Sequence, residues 1–253
     1  MTLLNTYKDC AVLASRKFVK SWWLVLLSLA AVAAFVFFSA MIGRIFGGSN
    51  FIGGLIIGLL QVWLLSLYYG WLRAAHNGDK IDPKEILHLD SNLFLAIINV
   101  GFLFFVAQYV LVALTTPFGL GIVGSLFLFL VVLACNVLPE MIYISGKSDF
   151  DTYQESFNFV KENWIEWLVP YFVLLIPVIV ASPKSALVLV GSVDPMLPTQ
   201  IVIWSTISLV SNPNLIVFAI ILGIALVSWV MLFRAELFER LLVKKRTNKF
   251  WVH

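Results

Sequence analysis

Six stretches of this chain, about 22–42, 51–71, 93–114, 118–144, 164–181 and 214–233, are apolar almost throughout. A helix needs about 20 mainly apolar residues to cross a bilayer, so each reads as a span, and the chain reads as an all-α integral membrane protein. The charge content agrees. Only 12% of the residues are charged, half of the roughly 25% typical of soluble domains. The first stretch follows Lys17 and Lys20 but exceeds the short core of a signal peptide, so it is expected to stay as an anchor. Cys10 and Cys135 lack metal-ligand spacing and read as small apolar fillers.

Orientation follows from the basic residues. With the N-terminus inside, Lys8, Arg16, Lys17, Lys20, Arg73, Lys80, Lys84, Lys147 and Lys161 all fall on the cytoplasmic side. Arg234, Arg240, Lys244, Lys245, Arg246 and Lys249 join them, leaving Arg44 and Lys184 outside. The positive-inside rule therefore predicts an N-in/C-in protein. The expected domain is a single polytopic unit, 1–253, ending in a basic cytoplasmic tail, 240–253.

Amphipathic segments precede spans one, three and five. Tyr7, Cys10, Ala11, Ala14 and Phe18 share a helical face, as do Tyr153, Ser156, Phe157, Val160 and Trp164. Such helices are expected to lie in the membrane interface. Phe18 and Trp164 would be the apolar anchors, with Lys20 and Lys161 reaching headgroups. A third helix, about 83–91, is predicted from Asp82 as N-cap, Pro83, the capping-box Glu85 and an Ile81/Ile86 staple. The phrase "SRKFVKSWW" (15–23) returns as "SFNFVKENW" (156–164), which suggests a weak repeat of 1–115 in 140–253. The Thr6-Tyr7 and Thr152-Tyr153 match implies a different offset, so the two registers conflict.

"LPEMIYISGKSDFDTYQESFNFVKENWIEWL" (138–168) resembles a pattern in a broad class of bacterial inner-membrane proteins. That class comprises YciC-like proteins and the membrane domain found beside glycerophosphodiester phosphodiesterases. The matching positions are Pro139 near a span end, then Ser156, Lys161 and Asn163 on an amphipathic helix. "AAHNGDKIDPKEIL" (74–87) is similar to the Gly-containing loop after the second span in that class. The resemblance implies a bacterial inner-membrane protein with six spans and no catalytic residues of its own.

Ionisable and polar groups at membrane depth are functional candidates by default. Gln61, Asn99, Asn136 and Glu140 form a candidate polar seam, with Gln108 a further polar position. Glu140, near the inner end of the fourth span, is expected to pair with Arg73 or Arg234. Gly54 and Gly58, like Gly121 and Gly124, offer small faces for helix packing, and Pro170 and Pro177 are expected to kink the fifth span. His76, His88 and His253 are scattered, and no nucleotide, metal or nucleophile motif occurs. No enzyme, metal or cofactor is therefore expected, and no nucleic acid. Lys244, Lys245 and Arg246 form a candidate headgroup-binding tail.

Residues 182–213 are unusually apolar for an outer loop and read as interfacial, re-entrant or partner-binding. The function favoured on sequence alone is a non-enzymatic scaffold or accessory subunit of a membrane complex. Its partners would be the bilayer and other membrane subunits or further copies of the chain. The alternative is a small-solute or lipid transporter using the polar seam.

Overall fold

The computed structural model describes residues 3–46, 51–81, 86–115, 121–181, 196–199, 202–203, 206–207 and 215–250. These residues are all-helical, without strands. The helices are α1 (Leu3–Lys20), α2 (Trp23–Phe46), α3 (Phe51–Asn77), α4 (Ser91–Thr115), α5 (Gly121–Ala134), α6 (Leu138–Tyr143), α7 (Asp151–Glu162), α8 (Trp164–Ala181) and α9 (Ile216–Phe250).

Four runs are long and apolar enough to cross a membrane: Trp23–Phe46, Phe51–Asn77, Leu126–Tyr143 taken across the α5–α6 break, and Ile216–Lys244. Ser91–Phe104 and Trp164–Ile176 are apolar but shorter among the described residues. Burial is uneven along these helices. The half of each nearest Asn77, Tyr143, Trp164 and Arg234 holds the core, including Tyr69, Leu72, Ile97, Ile142, Trp167 and Phe238. The opposite half exposes Phe37, Phe51, Phe102, Leu130, Val173 and Phe218. Large apolar side chains exposed together in such numbers mark a surface covered by something other than water.

Helix α1, expected in the membrane interface, packs on another helix of the chain. It runs antiparallel along the C-terminal part of α9: Trp229 donates to Ser15 at 3.0 Å, and Arg240 pairs with Asp9 at 3.2 Å. Its stripe faces protein, with Cys10 and Ala14 fully buried. Those small residues let the helices approach closely, and Phe18 is only half-buried against the same core. Helix α7 likewise buries Thr152, Ser156, Phe159 and Val160. That face is rotated from the expected one, leaving Phe157 and Trp164 exposed at 52% and 59%. Lys20 and Lys161 are exposed as well.

The helix expected over 83–91 is corrected in part. Residues 82–85 lie outside the described residues, and 86–90 form a turn followed by irregular chain. The cap belongs instead to α4. Asp90 accepts from the backbone amides of Asn92 (3.0 Å) and Leu93 (3.4 Å) and takes Arg73 at 2.6 Å. Partial burial alone raises its pKa. The bonds from Arg73 and the two amides outweigh that, so the carboxyl titrates below its ordinary 3.8. A depressed folded pKa gives stability that is present above the unfolded value and lost as pH falls through the folded one. Asp90→Ala should therefore cost about 1 kcal/mol at neutral pH. Chemical unfolding in detergent should show the gap from wild type closing below about pH 4, and a gap that persisted there would exclude the charge.

Gly54 and Gly58 have nothing within 4 Å of where a Cβ would stand, so no helix of this chain packs on them among the described residues. Helix α8 runs without interruption through Pro170 and Pro177.

Candidate functional site

The apolar run Leu126–Tyr143 is broken between α5 and α6, which the sequence reading did not anticipate. Pro139 has no N–H to offer the carbonyl of Cys135, and its ring crowds that carbonyl while disfavouring helical geometry at Leu138. Residues 135–137 form a turn in which Leu138 N donates to Cys135 O at 3.0 Å, and α6 then resumes. Two freed carbonyls find side-chain donors. Ser156 of α7 donates to Ala134 O at 3.3 Å, and Arg234 of α9 donates through Nη2 to Asn136 O.

Arg234 organises the site. Its Nε and Nη2 reach Glu140 Oε1 and Oε2 at 2.7 and 2.9 Å, a bidentate pair, and its Nη1 reaches Asn136 Oδ1 at 2.6 Å. The guanidinium lies 4.6 Å from the centre of the Trp167 ring, which packs in turn on Phe159 (5.3 Å) and Phe238 (6.3 Å). Asn136 and Glu140 are fully buried and Arg234 is 5% exposed. Ion pairs at such depth persist only when geometry and further hydrogen bonds offset the desolvation of both charges. Here the fork of Arg matches the carboxylate, and the broken helix supplies the extra acceptors. Arg73, the other partner considered for Glu140, is taken by Asp90.

A second group reaches this layer from the segment expected outside. Met196, Pro198, Thr199, Val202 and Thr206 are buried, and the buried hydroxyl of Tyr69 donates to Met196 O. Tyr69 stands about 27 Å along α3 from Phe51 at 1.5 Å per residue. Its ring lies 5.5 Å from that of Tyr143, whose hydroxyl donates to Met231 O at 3.3 Å. Near the start of α9, Gly223 faces Thr206 and Ile203. Helix α8 ends, and α9 begins, at the opposite end from this layer. The described residues of 182–213 therefore pack against α3 and α9, an arrangement the re-entrant alternative allows. Apolar Met, Leu, Val and Ile at these positions are what a buried segment requires.

The remaining sequence candidates do not join the cluster. Gln61 is exposed on α3, and Asn99 is exposed on α4, donating to Ser148 O at 3.4 Å. Lys244 pairs with Glu166 at 3.2 Å, while the side chains of Lys245 and Arg246, like that of Gln108, lie outside the described residues. His76, expected in a loop, is buried at the end of α3. It lies 3.2 Å from Glu236 and 3.1 Å from Glu239, and Lys17 pairs with Glu236. That group ties α1, α3 and α9 together at the Asn77 end of α3. Sequence reasoning missed Ser156 as a cap, Trp167 and Tyr171 as polar donors beside Arg234, and Tyr69. The one available signal was Pro139, placed four residues after Cys135 within an apolar run.

These features define an all-helical protein with four helices of membrane-spanning length, a broken helix, and a buried Arg–Glu pair beside an inserted segment. No family model, curated protein or solved structure matches the chain.

Proposed function

We propose that the chain is a six-span protein of a bacterial inner membrane, both termini cytoplasmic, that binds a small polar solute within its bundle and carries it across. This is the reading that ranked second on sequence alone. The observation behind it is a meeting at one depth: a span broken at Asn136, the Arg234–Glu140 pair, and the segment through Met196 and Thr199. Non-helical backbone at membrane depth is tolerated where protein buries it or where it lines a cavity. Broken helices that present polar groups at the break are a recurrent way to build a carrier site. The likeness of 138–168 to the YciC-like class falls on residues that make this break, since Pro139 causes it and Ser156 caps it.

Reconstituted in vesicles, the protein should raise the flux of small polar solutes above that of empty vesicles, read by osmotic swelling. Equal fluxes with a folded protein would sink the carrier reading. For orientation, Arg44→Cys should react with an impermeant thiol reagent on intact cells, and Asp149→Cys only after permeabilisation. External labelling at Asp149 would remove the six-span layout.

The scaffold or accessory reading rests on a different observation. Phe150, Phe157 and Trp164 leave α7 and its flanks with an exposed aromatic face (70%, 52% and 59%) at the inner end. A stoichiometric membrane protein co-purifying in mild detergent, together with absent flux, would favour it.

A further inference from the structure

We infer that the buried cluster selects a neutral solute whose oxygens accept hydrogen bonds, of the polyol or simple amide class. Four groups in and around it carry a donor with no hydrogen-bond partner among the described residues. They are Asn136 Nδ2, Trp167 Nε1, the Tyr171 hydroxyl and the Thr199 hydroxyl. Asn136 and Thr199 are 0% exposed, Trp167 and Tyr171 2%. More than nine in ten buried polar groups in folded proteins are satisfied, and each exception costs about 1–3 kcal/mol. Such donors on α8, at the helix break and on the inserted segment form a set that a ligand's acceptors would complete.

Their placement is coherent. Trp167 and Tyr171 are four residues apart and share one face of α8. The Trp167 ring lies against Arg234, and Tyr171 is within electrostatic reach of the same guanidinium. Asn136 stands at the helix break, with its oxygen already held by Arg234. Thr199 enters on the inserted segment, three residues past the carbonyl that Tyr69 holds. Tyr69 packs on Tyr143, which is itself within reach of Glu140 and Arg234.

Charge then decides the class. Arg234 already uses four of its five N–H groups on Glu140 and Asn136, and Glu140 balances its charge. Asn136 Nδ2 and Trp167 Nε1 can only donate, while the two hydroxyls can donate or accept, so a cation meets two groups it cannot use and a guanidinium. An anion would have to share a low-dielectric space with the Glu140 carboxylate, where like charges repel strongly. A neutral molecule rich in hydroxyl or carbonyl oxygens meets neither penalty. The solute class rests on the carrier reading only for what happens after binding.

The test uses the full-length protein in detergent and saturation-transfer NMR with four probes: glycerol, acetamide, inorganic phosphate and lysine. Glycerol or acetamide should bind, and phosphate and lysine should not. Tyr171→Phe and Thr199→Val each remove one hydroxyl at nearly constant shape and should weaken that binding at least tenfold. Because each deleted hydroxyl has no protein partner, the variants without probe should melt at or above the wild-type temperature, which keeps misfolding apart from lost binding. Binding of phosphate or lysine in preference, no binding of either neutral probe, or equal affinity in wild type and both variants would overturn the inference. Binding without flux in vesicles would support the site and sink the carrier reading instead.

Discussion

Glu140→Gln should destabilise the protein by about 3–5 kcal/mol, the cost of leaving a buried charge without its counter-ion. Arg234 is 5% exposed and Glu140 0%, so no water stands ready to take over. The guanidinium would keep Asn136 and the face of Trp167, neither of which carries a charge. Removing both charges is a different experiment. Glu140→Met with Arg234→Met should recover most of the loss, since apolar residues of similar volume often replace a buried pair at little or no cost. Chemical unfolding in detergent reads both variants. If Glu140→Gln cost under about 1 kcal/mol, Arg234 would have another partner and the cluster described here would be wrong. A double variant as unstable as the single one would mean that Asn136 and the broken helix depend on the ions themselves.

Gly223→Ala tests the inserted segment. A Cβ there would stand 2.6 Å from Thr206 Oγ1 and 3.1 Å from Ile203 Cα. Thr206 Oγ1 cannot swing clear at no cost, because it donates to Ile203 O at 2.8 Å, and the second obstacle is backbone. The segment must shift, at about 1–3 kcal/mol, the usual range for overpacking. Amide exchange should rise in 196–207 and stay unchanged around Arg234 and Trp167. Gly70→Ala provides the contrast, since nothing stands within 4 Å of its Cβ position. That change should be neutral or stabilising by about 0.5–1 kcal/mol, the helical preference for Ala over Gly. If Gly223→Ala behaved like Gly70→Ala, the segment would not lie against α9.

Much of the helical layout was legible because membrane-length apolar runs have few alternatives. The starts of α2, α3 and α9 follow from them, while each helix runs on past its apolar stretch, α9 as far as Phe250. What the runs could not show was interruption: Pro139 was read as marking a span end, yet the helix resumes and carries Glu140 on its second piece. The polar seam was legible by half. Asn136 and Glu140 are four residues apart and share a face, which local periodicity reveals. Gln61 and Asn99 were grouped with them on depth alone, and depth does not give rotation about a helix axis. The segment 182–213 was placed outside because it joins two outer span ends. Its apolarity left interfacial, re-entrant and partner-binding readings open, and only tertiary packing on Tyr69 and Gly223 shows what its described residues touch.

The pairing of α1 with α9 also sets an order of assembly. Ser15 and Trp229, like Asp9 and Arg240, join the first helix to the last, so α1 is without its partner until α9 has left the ribosome. At about 5–20 residues per second, that interval lasts roughly 10–45 s. During it, the stripe of Cys10, Ala14 and Phe18 lacks the α9 surface that finally buries it and can rest on the membrane surface. The amphipathic signature of α1 thus describes two successive environments, lipid headgroups for the growing chain and α9 for the finished one.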